Sequence, residues 1–227
     1  MTGEALASTS PGDTKGGMDK PHPKPRPAPR RQAQRSADTR TKLINATISC
    51  IHRLGYGSTT VTVVAEEAGV SRGAMTHQFP TKTDLVLAVV LAVYKSDSEH
   101  YSRALNALSP IEGMRAMPAI MWEVISRPSA IAVMEIMLAS RSDPELADRL
   151  RRMQSEIDVH AHAAVVARHA AAGIVERPDG EAIHRVFVAA ARGLALEAVF
   201  MNNAAEVEKS IAVLSELLVS IYPNLAE

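Results

Sequence analysis

The side chains in this chain that could carry out a reaction are Asp158, His160, His162, His169 and His184. Imidazoles beside a carboxylate could ligate a metal or shuttle a proton. Their spacing argues otherwise. Asp158 and His162 share a helix face and His169 follows two turns later, but His160 points elsewhere, and the tight ligand spacing of a metal motif is missing. No nucleophile elbow, Gly-rich phosphate loop or paired-carboxylate signature accompanies them. They read as solvated or core histidines, with no metal and no cofactor expected. A helical enzyme built on this group is the weaker alternative. Cys50 is the single cysteine. It excludes an internal disulfide and reads as a buried structural thiol.

A second stretch offers recognition rather than reaction. Residues 60–79 read TVTVVAEEAGVSRGAMTHQF. Thr60 can cap a short helix with Val61, Val64 and Ala65 inward. Ala68-Gly69-Val70 supplies a tight turn in which Gly permits a positive φ. Ser71 can cap a second helix, where Met75 and Phe79, four apart, pack back onto the first. Gly73, Ala74, Thr76 and His77 then face outward, and Arg72 reaches out from the N-terminus. One anchored face and one small, polar face is what a helix entering a DNA major groove needs. A plain helical hairpin is the alternative reading of this window.

The elements that must hold this window are helical. Leu43, Ile44, Thr47, Ile51 and Leu54 recur at helical spacing and stop at Gly55. Further starts are written as Thr81 with Asp84, Ser109-Pro110 with Glu112, Asp143-Pro144, Pro178-Asp179-Gly180, and Asn203 ahead of Glu206. No useful stretch alternates with a β-strand's period. The fold class expected is all-α with about nine helices: an N-terminal three-helix helix-turn-helix domain and a C-terminal helical body.

Charge is divided in the same way. Residues 1–82 carry 12 Lys and Arg against 6 Asp and Glu, and residues 83–227 carry 13 against 19. A basic front on an acidic body fits a polyanion-binding module joined to another domain. Residues 1–36 alternate Pro with basic residues and read as a disordered arm, either a solubilising tail or a DNA-touching one. No run approaches the roughly 20 apolar residues of a membrane span. The first residues lack a secretory apolar run, so a cytoplasmic protein without a membrane partner is expected.

The stretch from Thr41 to Leu85, centred on GYGSTTVTVVAEEAGVSRGAMTHQFPTKTDL, resembles the DNA-binding domain of TetR-type (tetracycline repressor) regulators. The resemblance implies a helix-turn-helix domain over 37–97, with its motif at 60–79, and an effector-binding and dimerisation domain over 98–227. It implies DNA contacts from Thr60 and Thr62, from Ser71, Arg72, Gly73, Ala74, Thr76, His77 and Gln78 on the recognition helix, and from Lys82 to a phosphate. The family usually has Tyr where this chain has Thr76. That contact is weakened or passed to His77, so no operator sequence carries over. The expected partners are double-stranded operator DNA, a second copy of the chain and a small-molecule effector. The expected function is that of a repressor which the effector releases. An architectural DNA-binding protein without an effector is the alternative.

The C-terminal residues are open to the same two roles on their own spacing. Ile183, Phe187, Ala190, Leu194 and Met201, then Val207, Ile211, Leu214, Leu218 and Ile221, form stripes suited to a four-helix bundle between two copies. Met114, Met117 and Met121 share a face with Trp122 beside them, and Met134 and Met137 follow on the next helix. Such methionines pack ordinary cores, and they also line adaptable pockets for apolar or aromatic effectors.

Overall fold

The computed structural model describes residues 29–175, 177–201 and 203–225. Among these residues it contains nine α-helices and no strand: α1 Pro29–Ser58, α2 Val61–Glu67, α3 Arg72–Gln78, α4 Lys82–Asn106, α5 Pro110–Ile125, α6 Pro128–Ala139, α7 Pro144–Ala171, α8 Gly180–Met201 and α9 Ala204–Ile221. Short 3-10 turns occupy Ser140–Ser142 and Pro223–Leu225.

The helix starts are closed by the side chains expected of them. Thr81 and Asp84 form a reciprocal capping box at α4, and Ser109 and Glu112 form another at α5 with Pro110 in the first turn. The Asp143 carboxylate accepts from the Leu146 amide at α7. Each cap satisfies amides that the first turn leaves without partners. Asn203 behaves differently. It precedes α9, but its side-chain amide donates to Glu197 and makes no cap bond.

Two boundaries differ from the sequence reading. The first helix begins at Pro29, not near Ala37. Proline is tolerated in a helix's first turn, where its missing N–H costs nothing. The extra turns are docked further along by the Gln78 amide, which donates to the Ser36 hydroxyl at 2.7 Å. The rest of the expected arm, residues 1–28, lies outside the described residues. The domain boundary expected at 97 falls inside α4, which runs unbroken to Asn106.

Two cores involve α1 and α4. Leu43, Cys50, Val64, Met75, Phe79 and Leu85 close the three-helix N-terminal unit. A second core joins α1 and α4 to α6 and α7 through Ile51, Val86, Val89, Ala132, Ile136 and Leu146. A third, around Phe187, Ala191, Leu218, Tyr222 and Leu225, binds α5 to α8 and α9. Gly55, with φ +79° and ψ 159°, breaks the helical path inside α1, a conformation essentially confined to glycine that costs a residue with a Cβ on the order of 1–3 kcal/mol.

Candidate nucleic-acid interface and ligand cavity

The two short helices α2 and α3 are placed by caps and by one turn. Thr60 accepts from the Val63 amide and Ser71 from the Ala74 amide. Between them Gly69 takes φ +62°, and the Val70 amide returns to the Ala65 carbonyl at 2.9 Å. Met75 and Phe79 are buried against Val64 and Ala65, so α3 has one fixed face. The Arg40 guanidinium lies over the Phe79 ring at 4.5 Å and closes the anchor from α1. On the surface, Arg53 of α1 pairs with Glu67 of α2 at 2.8 Å.

The opposite face of α3 is open. Ser71, Arg72, Gly73, Thr76 and His77 are exposed, as are Thr60 and Thr62 beside them, and Ala74 is half-exposed. Nothing stands within 4 Å of where a Cβ on Gly73 would be. The Thr76 hydroxyl donates to the Arg72 carbonyl at 3.0 Å, so outward it can only accept. Two of the expected contact residues are differently engaged. Gln78 is half-buried and tied to Ser36. The Lys82 ammonium donates to the Tyr56 carbonyl at 2.8 Å and stands 3.9 Å from the Tyr56 ring centre. Burial draws it below the ordinary lysine range. Its first role is to fasten the start of α4 to the end of α1.

The junction between the halves is polar and specific. Glu135 of α6 accepts the Tyr56 amide at 2.7 Å, directly after Gly55. Arg149 of α7 donates to Asp84 at 2.8 Å, holding the first turn of α4 and pulling the Asp84 carboxyl below its usual range. Neither residue pair was visible in the sequence, because each joins positions 65 or more apart.

Among α4, α5, α6, α7 and α8 lies a cavity of about 430 Å³. Met117, Met121, Met134 and Met137 line it, as the methionine pattern suggested. Met114 lies instead on smaller neighbouring cavities. Trp122 faces away from it and packs with Ile131, Met134 and Ala195. Helical spacing put Trp122 beside Met121 in sequence but one-quarter turn away in space. The wall also carries charges the methionine pattern did not foretell, Asp97, Arg168 and Arg192 among them. Burial pushes the Asp97 carboxyl up to about 6, against the pull of Arg127. Among the described residues no three His, Cys, Asp or Glu side chains gather as a metal site. Cys50 is buried, and desolvation raises its thiol.

The stripes expected to face a second copy turn inward in part. Phe187, Val207, Ile211 and Leu218 are buried within the chain, Val207 at 1% exposure. Ile183, Ala190, Leu194, Leu214 and Ile221 are half-buried. Of the ten, only Met201 is exposed. The exposed apolar line on α8 lies one residue earlier, at Val186, Ala189, Gly193, Leu196 and Phe200, with Phe200 at 88% exposure. Val213 and Leu217 continue it on α9. Both registers step by three and four, and spacing alone cannot tell which one the chain's own core takes.

This geometry is that of a helix-turn-helix domain mounted on a larger helical body. Residues 43–89 match the family model of bacterial regulatory proteins of the tetR family. The HTH-type transcriptional regulator CymR of Pseudomonas putida is 31% identical over 122 residues, 53% of this chain and 60% of that protein. An uncharacterized HTH-type transcriptional regulator of Mycobacterium tuberculosis is 27% identical over 134 residues, 58% of this chain and 68% of that protein. The match to CymR thus spans less than two thirds of its length. A TetR transcription regulator from Haloarcula marismortui superposes with a TM-score of 0.65 over 81% of this chain and 98% of its own, at 19% identity. Salmonella enterica GusR gives 0.61 over 81% and 94%, at 22%. At those identities the likeness is one of fold. It extends well past the family-matched segment into the C-terminal body. No helix among the described residues is long and apolar enough to cross a membrane.

Proposed function

We propose that this protein is a cytoplasmic transcriptional regulator that binds a palindromic operator as a homodimer and leaves it when a small molecule occupies the C-terminal cavity. The observation that carries the reading is the two-sided build of α3. Met75 and Phe79 fix one face, and Ser71, Arg72, Gly73, Thr76 and His77 present a small polar face to solvent. Arg72 and His77 are the residues proposed to read base edges, where a good contact discriminates by about 1–3 kcal/mol. Thr60, Thr62 and the capped first turn of α3 suit phosphates. Lys82 is proposed to hold a phosphate while staying fastened to Tyr56, since an ammonium has three donors. Gln78 acts by anchoring α1.

The second copy is proposed to dock on the line from Val186 to Phe200 and on Val213 and Leu217. An exposed mid-helix Gly193 weakens α8 by about 1 kcal/mol, and a close helix approach gives it a use. The effector part rests on α4. Its first turn is held by Tyr56 and Arg149, and its later turns line the cavity through Val93, Asp97 and Tyr101. A molecule that pivots α4 changes the separation of two recognition helices, which must sit about 34–36 Å apart to read successive major grooves.

Selection of bound duplexes from a random pool tests the reading. An enriched palindrome is expected, with binding that weakens steeply as salt rises. Arg72→Ala and His77→Ala should each change the enriched sequence. Retention of the pool without sequence enrichment would overturn it.

A further inference from the structure

The charges set into the cavity wall are unevenly paired. Asp97 of α4 has Arg127 at 3.8 Å, and Arg127 in turn meets the His100 ring at 2.9 Å. Asp158, at the exposed margin, accepts from the Gln154 amide at 2.7 Å. Arg168 of α7 and Arg192 of α8 line the same cavity, are half-buried, and make no side-chain hydrogen bond or ion pair with another described residue. A guanidinium holds five donors and keeps its charge at any working pH. Two of them half-buried beside methionines, without acceptors, leave a demand that an anion can meet.

The surroundings agree in sign. Burial drives the His184 ring toward its neutral form, and His162, His169 and Arg192 add to that push, with Asp158 alone opposing. Along the α7–α8 wall the fixed charges are two guanidiniums, Arg168 and Arg192, against the one carboxylate of Asp158. Across the cavity, Tyr101 has no hydrogen-bond partner among the described residues. Burial, then the nearby Asp97 charge, keeps its phenol protonated and so a donor.

We propose that the cavity takes an amphipathic organic monoanion, its carboxylate held at the α7–α8 wall by Arg168 and Arg192 and its apolar part lodged among Met117, Met121, Met134 and Met137. This rests on the reading of the cavity as an effector site. It replaces the wholly apolar effector that the methionines alone suggested. A cationic ligand would have to take Asp97 from Arg127 while lying beside two unneutralised guanidiniums. An uncharged one could offer the arginines only neutral acceptors, whose hydrogen bonds are weaker than those to a carboxylate.

Three probes with one tail and three head groups separate these cases: 4-phenylbutanoate, 4-phenylbutan-1-ol and 4-phenylbutylamine. Each is titrated calorimetrically into the full chain at neutral pH. The acid is expected to bind about tenfold or more tighter than the alcohol, and the amine weakest. Arg192→Met and Arg168→Met, each checked for helix content by circular dichroism, should weaken the acid about tenfold to a hundredfold and shift the alcohol by no more than about twofold. If one variant does not fold, the other carries the comparison. Preference for the amine, an acid affinity untouched in the folded variants, or no acid binding up to about 1 mM overturns the proposal. Duplex selection on the same wild-type preparation keeps the two readings apart. An enriched operator with no acid binding removes only the anion inference. Acid binding without an enriched operator removes the regulator reading and leaves the cavity's chemistry standing.

Discussion

The two ends of the molecule bury their apolar residues to different degrees. In the three-helix front, Leu43, Cys50, Val64, Met75 and Phe79 are sealed at 2% exposure or less and pack into one core between Leu43 and Ala88. In the back half, Val186, Leu196, Phe200, Val213 and Leu217 stay in solvent, and the body encloses a cavity of about 430 Å³. A surface that must be presented in one shape is packed tightly from behind. A body proposed to admit a ligand and a second copy keeps room and uncovered apolar area.

The sharpest way to break this contrast is to hollow out the front. Phe79→Ala removes a ring sealed between α1, α2 and α3, and should lower stability by about 3–5 kcal/mol in chemical denaturation. A loss below about 1 kcal/mol would mean that the front is looser than its burial indicates. The uncovered line on α8 gives the converse experiment. Phe200→Asp should keep its helix content yet weaken self-association at least about a hundredfold by sedimentation, as loss of a central aromatic anchor does. Val207→Asp, one helix on but buried, should instead cost helix content. If both behave alike, the division between inward and outward registers is wrong.

The smallest effect concerns the cavity. Asp97 titrates near 6 in the folded chain against an ordinary value of 3.8, because burial disfavours its charge. Its contribution to stability is therefore full below about 3.8 and is lost as pH rises through about 6. Asp97→Asn should raise the denaturation midpoint at pH 8, by on the order of 1 kcal/mol once the lost attraction of Arg127 is counted. That gain should fade through pH 6 and vanish near pH 4. A gain that grows on acidification would contradict the burial of this carboxyl.

What could be read in advance follows the same division. Caps are written within four residues, so Thr60, Ser71, Thr81 with Asp84, Ser109 with Glu112, and Asp143 were legible. So were the glycines at 55 and 69, whose positive φ the turns require. The anchored and open faces of α3 were legible for the same reason, since they depend on i and i+4 positions. The long-range choices were not. Val207, Ile211 and Leu218 have the spacing of an interface, and only the burial of all three, with Leu218 in the core shared by α5, α8 and α9, reveals that the chain uses them itself. Gln78 looked free until α1 proved long enough to place Ser36 against it. Arg168 and Arg192 look like ordinary surface residues until five helices close a cavity around them.

The Glu135 carboxylate on the Tyr56 amide can carry only a bounded share of any communication between the halves. A hydrogen bond to a charged group has a net worth of about 1.5–3 kcal/mol. A change in α6 that breaks this one bond can therefore alter affinity at the far end by roughly 10- to 150-fold through it and no further. The same limit holds in reverse, because linkage is symmetric. Under the proposed function, a duplex that keeps the bond intact would weaken ligand binding by the same factor, and a measured coupling above that range would draw on Lys82, Arg149 or the shared core as well.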